Sequence, residues 1–285
     1  MTLIPTLRLS LEMTNVLTRI EMNGLKINLD TLHEIEKEYN EELSYLETKL
    51  QTMAKEAMGD TPVNLSSPDD RSVLLYSRKV RDKSMWGLTF NLGHEMRGNT
   101  MKPKLRTRMK ANVFIRNVRN MTDVVYKTVG QMCAGCLGNG RVRMVNKNGQ
   151  PSKVLNICKP CKGKGIRYMD TNEVAGFKIV PRNPKDVASA GFKTDKVTLE
   201  DRSIELSGDA REFCSSYSRY NAIRTYLSTF VEGMKNNVDE DNFIHPEFMQ
   251  CVTATGRLSS RNPNFQNMPR GSTFAIRKVV ESRFK

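Results

Sequence analysis

Several things are scarce or missing in this 285-residue sequence. No apolar run approaches the roughly 20 residues needed to cross a bilayer, and the N-terminal MTLIPTLRLS is too short and too weakly charged for a secretory signal. These absences exclude a helical membrane span and predict a soluble, cytoplasmic chain. In that setting the six cysteines are reduced thiols or metal ligands rather than a disulfide framework. There is no low-complexity tract, and the one internal repeat is the pair of halves in a cysteine module.

Acidic side chains are nearly absent from the middle of the chain. Between Ser84 and Met169 there are 17 Lys/Arg against two acids, Glu95 and Asp123, so this stretch carries the whole formal charge of +14 and the remainder is close to neutral. One block of positive charge fits a polyanion, because each neutralised phosphate releases counterions. The alternatives are a solvated basic surface or a disordered basic arm.

The first 60 residues have helical periodicity. Leu9, Met13, Val16, Leu17 and Ile20 form one stripe, stopped at Asn23-Gly24. Asp30 reads as the N-cap of a longer helix with Leu32, Ile35, Tyr39, Leu43, Leu46, Leu50 and Met53 on one face, ended by Gly59. Both stripes read as core. Asn64-Leu-Ser-Ser-Pro68 predicts a turn into another helix, with Asp69 and Asp70 at its positive end. The pattern weakens from about Met85 to Thr128. Residues 171–200 contain Gly176, Pro181, Pro184 and Gly191 and read as loop. Periodicity returns over Ala210–Met234, followed by short β-like pieces around Phe248–Thr255.

Cys133-Ala-Gly-Cys136 and Cys158-Lys-Pro-Cys161 are two closely spaced thiol pairs. Such spacing places four thiolates around one tetrahedral zinc ion; iron–sulfur and redox chemistry are the alternatives. Each half reads C-x-x-C-x-G-x-G, and the glycines permit the tight turns of a knuckle. A closed four-thiolate site leaves no position for an activated water, so its role is structural. The repeat resembles the zinc region of DnaJ-type chaperones, but no histidine is followed by the Pro-Asp of their J domain. Residues 133–167 also carry eight Lys/Arg and no acid, which fits contact with duplex backbone; the alternative is a protein-docking or stabilising knob. Cys214 and Cys251, unpaired in spacing, read as small buried hydrophobes.

Thr253-Ala-Thr-Gly-Arg-Leu-Ser-Ser260 and Asn262-Pro-Asn-Phe-Gln-Asn-Met-Pro269 combine hydroxyls, one Arg beside a Gly, and the amides of Asn264, Gln266 and Asn267. These groups donate hydrogen bonds without adding negative charge. They suit the minor groove, whose acceptors are nearly independent of sequence. By composition alone, a polar loop is the better reading.

The pattern T-A-T-G-R-L-S-S-x-x-P-N-x-Q-N-x-P resembles the thumb-to-palm motif of family A DNA polymerases. YNAIRTYLSTFVEG over Tyr220–Gly233 resembles their thumb helix, and His245-Pro-Glu-Phe-Met-Gln250 their His-x-x-Phe-x-Gln strand. Glu12–Asp30, Asn64–Pro68 and Gly191–Thr194 resemble earlier landmarks of the same domain. The resemblance implies an α+β, mostly helical fold: a polymerase thumb and the start of the palm, with an inserted four-cysteine zinc β-hairpin module. It divides the chain into palm and thumb-base helices over 1–84, a basic insertion over 85–170, thumb helices over 171–240 and a primer–template-binding segment over 241–285.

The resemblance also implies residue roles. Arg257 meets the minor-groove edge of the primer-terminal pair. Asn264, Gln266 and Asn267 lie near the primer–template junction. Thr255, Ser259 and Ser260 support the loop or meet the backbone, and Arg277 matches a basic pair leading into the palm. Arg224 lies one position from the family's thumb-helix lysine, and the short stretch after Pro269 does not support a triphosphate role for Arg270. The family's Asp-Tyr-Ser-x-x-Glu and His-Asp carboxylate motifs and its fingers helix do not occur. Two-metal nucleotidyl transfer needs such carboxylates. The expectation is therefore a chain inactive alone, part of a split or intron-interrupted enzyme, with structural zinc and with magnesium only in the complete polymerase. Its expected partners are primer–template DNA and a separate C-terminal fragment, in a host cytoplasm if a phage encodes it. The alternative function is a stand-alone zinc-containing DNA-binding protein.

Overall fold

The structure is a computed structural model that describes residues 3–104, 109–145, 151–189, 191–250, 252, 253, 255–269, 271 and 273–282. Lys147, Cys251 and Arg270 lie outside the described residues. The fold is mixed α/β and divides into two compact units. Unit 1 comprises residues 1–47 and 219–285, unit 2 residues 48–218.

The chain opens with α1 (Leu3–Asn23), strand β1 (Leu25–Ile27) and the 30-residue α2 (Leu29–Met58). Gly24, at φ +63°, makes the turn between α1 and β1. Asn28, not Asp30, caps α2: its Oδ1 accepts the Thr31 N–H at 2.9 Å. Asp30 sits one residue inside the helix, where its charge suits the positive helix end.

The α2 stripe is core as its spacing predicts, with Leu32, Ile35, Tyr39, Leu46 and Leu50 buried. The α1 stripe is not. Leu17 is buried, but Leu9, Val16 and Ile20 are 66%, 49% and 46% exposed. Periodicity reports amphipathicity, and it does not say whether a neighbour covers the apolar face.

Unit 2 continues with α3 (Pro68–Tyr76), β2 (Arg78–Val80), α4 (Lys83–Thr89), the hairpin β3 (His94–Arg97) and β4 (Thr100–Pro103), and α5 (Ala111–Met121). Ser67 caps α3, its Oγ accepting the Asp70 N–H. Then come β5 (Thr122–Val124), β6 (Tyr126–Met132), β7 (Arg141–Val145), β8 (Pro151–Ile157) and β9 (Ile166–Val174). The stretch after β9, read from sequence as loop, instead holds a small hairpin of β10 (Val187–Ala188) and β11 (Gly191–Phe192), then α6 (Lys196–Glu205). Trp86, fully buried, donates its indole N–H to the Ala188 carbonyl at 2.9 Å and packs against Phe90 and Phe192.

Helix α7 (Gly208–Tyr226) runs into a π turn (Leu227–Val231) and the short α8 (Glu232–Lys235). The chain closes with β12 (Phe243–Ile244), β13 (Glu247–Met249), β14 (Ser259–Arg261) and β15 (Val280–Glu281). Strand β1 is the centre of the antiparallel sheet β12-β1-β15. Beneath it Ile27, Leu32, Tyr39, Ile223, Tyr226, Ile244, Phe274, Ile276 and Val279 form the core of unit 1. Tyr226 and Phe274 stack at 4.3 Å, an aromatic pair of the kind that adds about 0.5–1.5 kcal/mol beyond area burial. Arg219 lies over the Phe274 ring at 5.2 Å while donating twice to Glu42 at 2.7 Å.

Candidate nucleic-acid interface and four-thiol centre

The C-terminal motif is built on the antiparallel pair β13–β14, with Glu247 opposite Arg261, Phe248 opposite Ser260 and Met249 opposite Ser259. In this register the carboxylate of Glu247 accepts from Arg261 Nε and, at 2.8 Å, from Asn262 Nδ2. The Asn262 and Arg261 contacts hold its carboxyl below the ordinary glutamate range. Ser260, 2% exposed, donates to Asn264 Oδ1 at 3.1 Å, and the same oxygen accepts the Gln266 N–H at 3.1 Å. Asn264 thereby caps a 3₁₀ turn over Phe265–Asn267, whose Phe265 and following Met268 pack on the unit 1 core.

The turn is thus pinned from both sides, and Gln266 and Asn267 are left exposed on it. Arg277, on a second 3₁₀ turn, donates to the Met268 carbonyl at 3.3 Å. Between the two strands, Thr253 Oγ1 donates to the Arg257 carbonyl at 2.9 Å, and Thr255 Oγ1 donates to Thr253 Oγ1. Gly256, at φ +70°, makes this bend. Arg257 and Thr255 are exposed, and Ser259 is half-buried on β14.

The structure therefore gathers Ser260, Asn264, Gln266, Asn267 and Arg277 about one turn and places Thr255 and Arg257 on the adjoining bend. Arg224 is exposed in the last turn of α7. Sequence reading missed the Glu247 clamp, because its signal lies in a cross-strand register that no local pattern reveals. It also missed how the His245–Gln250 strand is anchored. His245 Nδ1 lies 2.6 Å from the Glu21 carbonyl, and Gln250 Nε2 donates to Thr14 Oγ1 at 3.1 Å, both on α1.

In unit 2, β6 and β9 form an antiparallel ribbon running from Tyr126–Val174 to Met132–Ile166. The four cysteines follow, and beyond them β7 and β8 form a second ribbon. All four cysteines are buried, and their sulfurs lie within 4.8 Å of one another. Cys133 and Cys158 Sγ are 3.8 Å apart, Cys136 and Cys161 Sγ 3.6 Å. Tetrahedral zinc with Zn–S near 2.3 Å needs sulfurs roughly 3.8 Å apart, so the donor set fits that ion.

The two knuckles are mutual copies. Gly140 N–H donates to Cys136 Sγ and Gly165 N–H to Cys161 Sγ. Cys133 N–H donates to the Gly165 carbonyl at 2.8 Å, and Cys158 N–H to the Gly140 carbonyl at 2.9 Å. A Cβ on Gly140 would sit 2.2 Å from the Gly163 oxygen, and one on Gly165 2.1 Å from the Gly138 oxygen. Glycine is therefore required twice, by close approach and by positive φ.

Burial pushes the Cys136 thiol up and Cys158 up to about 12. At Cys161 burial works the same way, but the Gly165 N–H and the Cys136 and Cys158 sulfurs outweigh it and bring the thiol down to about 7. Around the centre Arg141, Arg143, Lys159, Lys162, Lys164 and Arg167 are all exposed. The ribbon is anchored at its base. Asp60 N–H donates to the Thr128 carbonyl at 2.9 Å, Gly130 N–H to Asp60 Oδ2 at 2.8 Å and Thr61 N–H to Thr128 Oγ1 at 3.0 Å.

Unit 1 thus carries a pinned turn of exposed amides, and unit 2 a basic arm with a four-thiol centre. Residues 176–284 match the sequence model of DNA polymerase family A. DNA polymerase I of Synechocystis sp. is 38% identical over 86 residues, spanning 30% of this chain and 8% of the relative. The DNA polymerase of Bacillus phage SP01 is 32% identical over 101 residues, spanning 32% of this chain and 11% of the relative. The POL domain of Pol1 from M. smegmatis, in complex with DNA primer-template and dNTP, aligns at a TM-score of 0.45 and 15% identity, over 95% of this chain and 28% of that one. The C-terminal part of the chain is thus similar to DNA polymerase family A. It spans only about a tenth of the length of these curated relatives.

Proposed function

We propose that this chain is the primer–template-gripping N-terminal portion of a family A polymerase domain, with the inserted arm lying against duplex backbone. The supporting observation is the pinned turn: Gln266 and Asn267 project from it, Arg257 projects from the adjoining bend, and the family match covers all three. In this reading Arg257, Gln266 and Asn267 donate to minor-groove acceptors, which are much alike for every base pair. Arg224 and Arg277 meet phosphate. Thr255 and Ser259 meet the backbone, while Ser260 and Asn264 hold the turn. The division into segments 1–84, 85–170, 171–240 and 241–285 is part of the same proposal.

Cys133, Cys136, Cys158 and Cys161 hold a structural zinc that fixes the arm. Neither carboxylate motif of the family occurs in these 285 residues; in this reading they hold DNA, the magnesium-dependent step needs carboxylates supplied from outside them, and they do not extend a primer alone. A phage source, and hence a host cytoplasm, accords with the phage relative. No helix among the described residues is long and apolar enough to cross a membrane.

Anisotropy of a fluorescent primer–template duplex tests the grip. Arg257→Ala is expected to weaken binding by about 1–3 kcal/mol, as for loss of a good base-edge contact, with thermal stability unchanged. Unaltered affinity would refute the minor-groove role. Residues 133–165 can be replaced by a two-residue turn, because Met132 and Ile166 already pair. A shallower salt dependence then marks lost phosphate contacts, and an unchanged slope removes the arm from the DNA. Primer extension by the chain alone would refute its assignment as a non-catalytic portion. If no C-terminal polymerase fragment restores extension, the stand-alone zinc-containing DNA-binding protein becomes the better reading.

A further inference from the structure

Unit 2 carries a groove that neither the C-terminal turn nor the four-thiol centre uses. Its volume is about 340 Å³, within the usual range of ligand sites. Its apolar lining includes Ile115, Val124, Val174 and Val180. Val180 is 67% exposed, Ile115 40% and Val124 38%, an open aliphatic surface rather than part of the core. Among the described residues, three cations line the same groove, Arg78, Arg119 and Lys178, and no carboxylate does. Glu173, next in sequence to Val174, is engaged by Lys127 at 2.7 Å.

The groove is preformed. Arg78 Nη1 donates to Thr122 Oγ1 at 3.2 Å, and the Lys178 N–H donates to Ser77 Oγ at 2.9 Å. Phe177 and Ile179 N–H donate to the Leu74 and Leu75 carbonyls at 2.8 and 2.9 Å. A fixed floor lowers the ordering cost of binding. Single strands of nucleic acid are held on aromatic faces, and the one ring here, Tyr76, is 3% exposed. An aliphatic floor lined by three cations suits leucine-like side chains flanked by carboxylates.

We propose that this groove docks a short acidic, leucine-rich segment of a partner protein, with its apolar side chains on Ile115, Val124, Val174 and Val180 and its carboxylates on Arg78, Arg119 and Lys178. The proposal does not depend on the polymerase reading. The probe is a fluorescein-labelled peptide of alternating leucine and glutamate, titrated by anisotropy against the full chain. Comparison probes carry serine for leucine or lysine for glutamate, and a labelled oligothymidylate is run in parallel. The leucine–glutamate peptide should bind better than both altered peptides. Arg119→Glu and Val180→Asp, both at exposed positions, should each weaken it about tenfold. Amide exchange should slow over 115–119 and 177–180 when the peptide is added. Equal binding to the wild type and both variants, or no protection of these segments, would overturn the proposal. So would oligothymidylate binding that both variants abolish.

Discussion

Between Tyr126 and Val174 the buried residues, among those described, are the four cysteines, Gly140 and Gly165. In unit 1 the buried set is aromatic and aliphatic, from Ile27 and Tyr39 to Tyr226, Phe274 and Ile276. The arm has almost no apolar area to remove from water, so its order rests on the four-thiol centre and backbone hydrogen bonds. Unit 1 rests on burial, at about 25 cal/mol per Å² of apolar surface. The two regions should therefore fail under different insults.

The sharpest way to break that comparison is to remove the proposed zinc. Chelation, or Cys158→Ser, should expose the arm to protease throughout residues 133–167, while the circular dichroism and melting of the remaining fold persist. Loss of helix signal on chelation would show that the two regions are not independent. Next in size is Phe274→Ala, which deletes the ring stacked on Tyr226. It should cost about 3–5 kcal/mol by chemical denaturation and leave metal stoichiometry unchanged.

A smaller effect sharpens the picture of the core. The Tyr226 hydroxyl is buried without a hydrogen-bond partner among the described residues, and burial carries its pKa above the ordinary tyrosine range. Tyr226→Phe removes that stranded group, so stability should stay level or rise by up to about 1 kcal/mol. A clear loss would mean that the hydroxyl is satisfied in solution. The smallest effect concerns the Glu247 clamp. Its Asn262 and Arg261 contacts hold its folded pKa below the ordinary glutamate value, so its contribution is complete above that ordinary value and is lost as pH falls through the lowered one. Amide exchange over 261–267 should quicken across that acidic window in the wild type but not in Glu247→Gln. A flat wild-type profile would remove Glu247 from the turn.

Legibility in the sequence followed the range of the interaction. The C-x-x-C spacing, the turn over Asn64–Pro68 into a helix and the α2 stripe are local, and each has its structural counterpart. The Asn28 cap was read two residues late, because Asp30 is an equally good capping residue and only the chain's entry from β1 decides between them. The α1 stripe misled because exposure depends on neighbours that a helical period does not name. The hairpin of β10 and β11 was hidden by prolines and glycines that also mark loops. The C-terminal motif could be recognised by resemblance, but the means of holding it could not. Ser260, Asn264 and Glu247 act across a strand register that forms only in the folded chain.

In the reciprocal knuckles, each cysteine pair takes the shape of its turn from a carbonyl that the other pair supplies, Gly165 for Cys133 and Gly140 for Cys158. Neither half has a finished mould of its own. The arm should therefore form and dissolve as one event, with no half-folded species to be captured, and a chain cut between β7 and β8 should keep the module only while both pieces remain clasped.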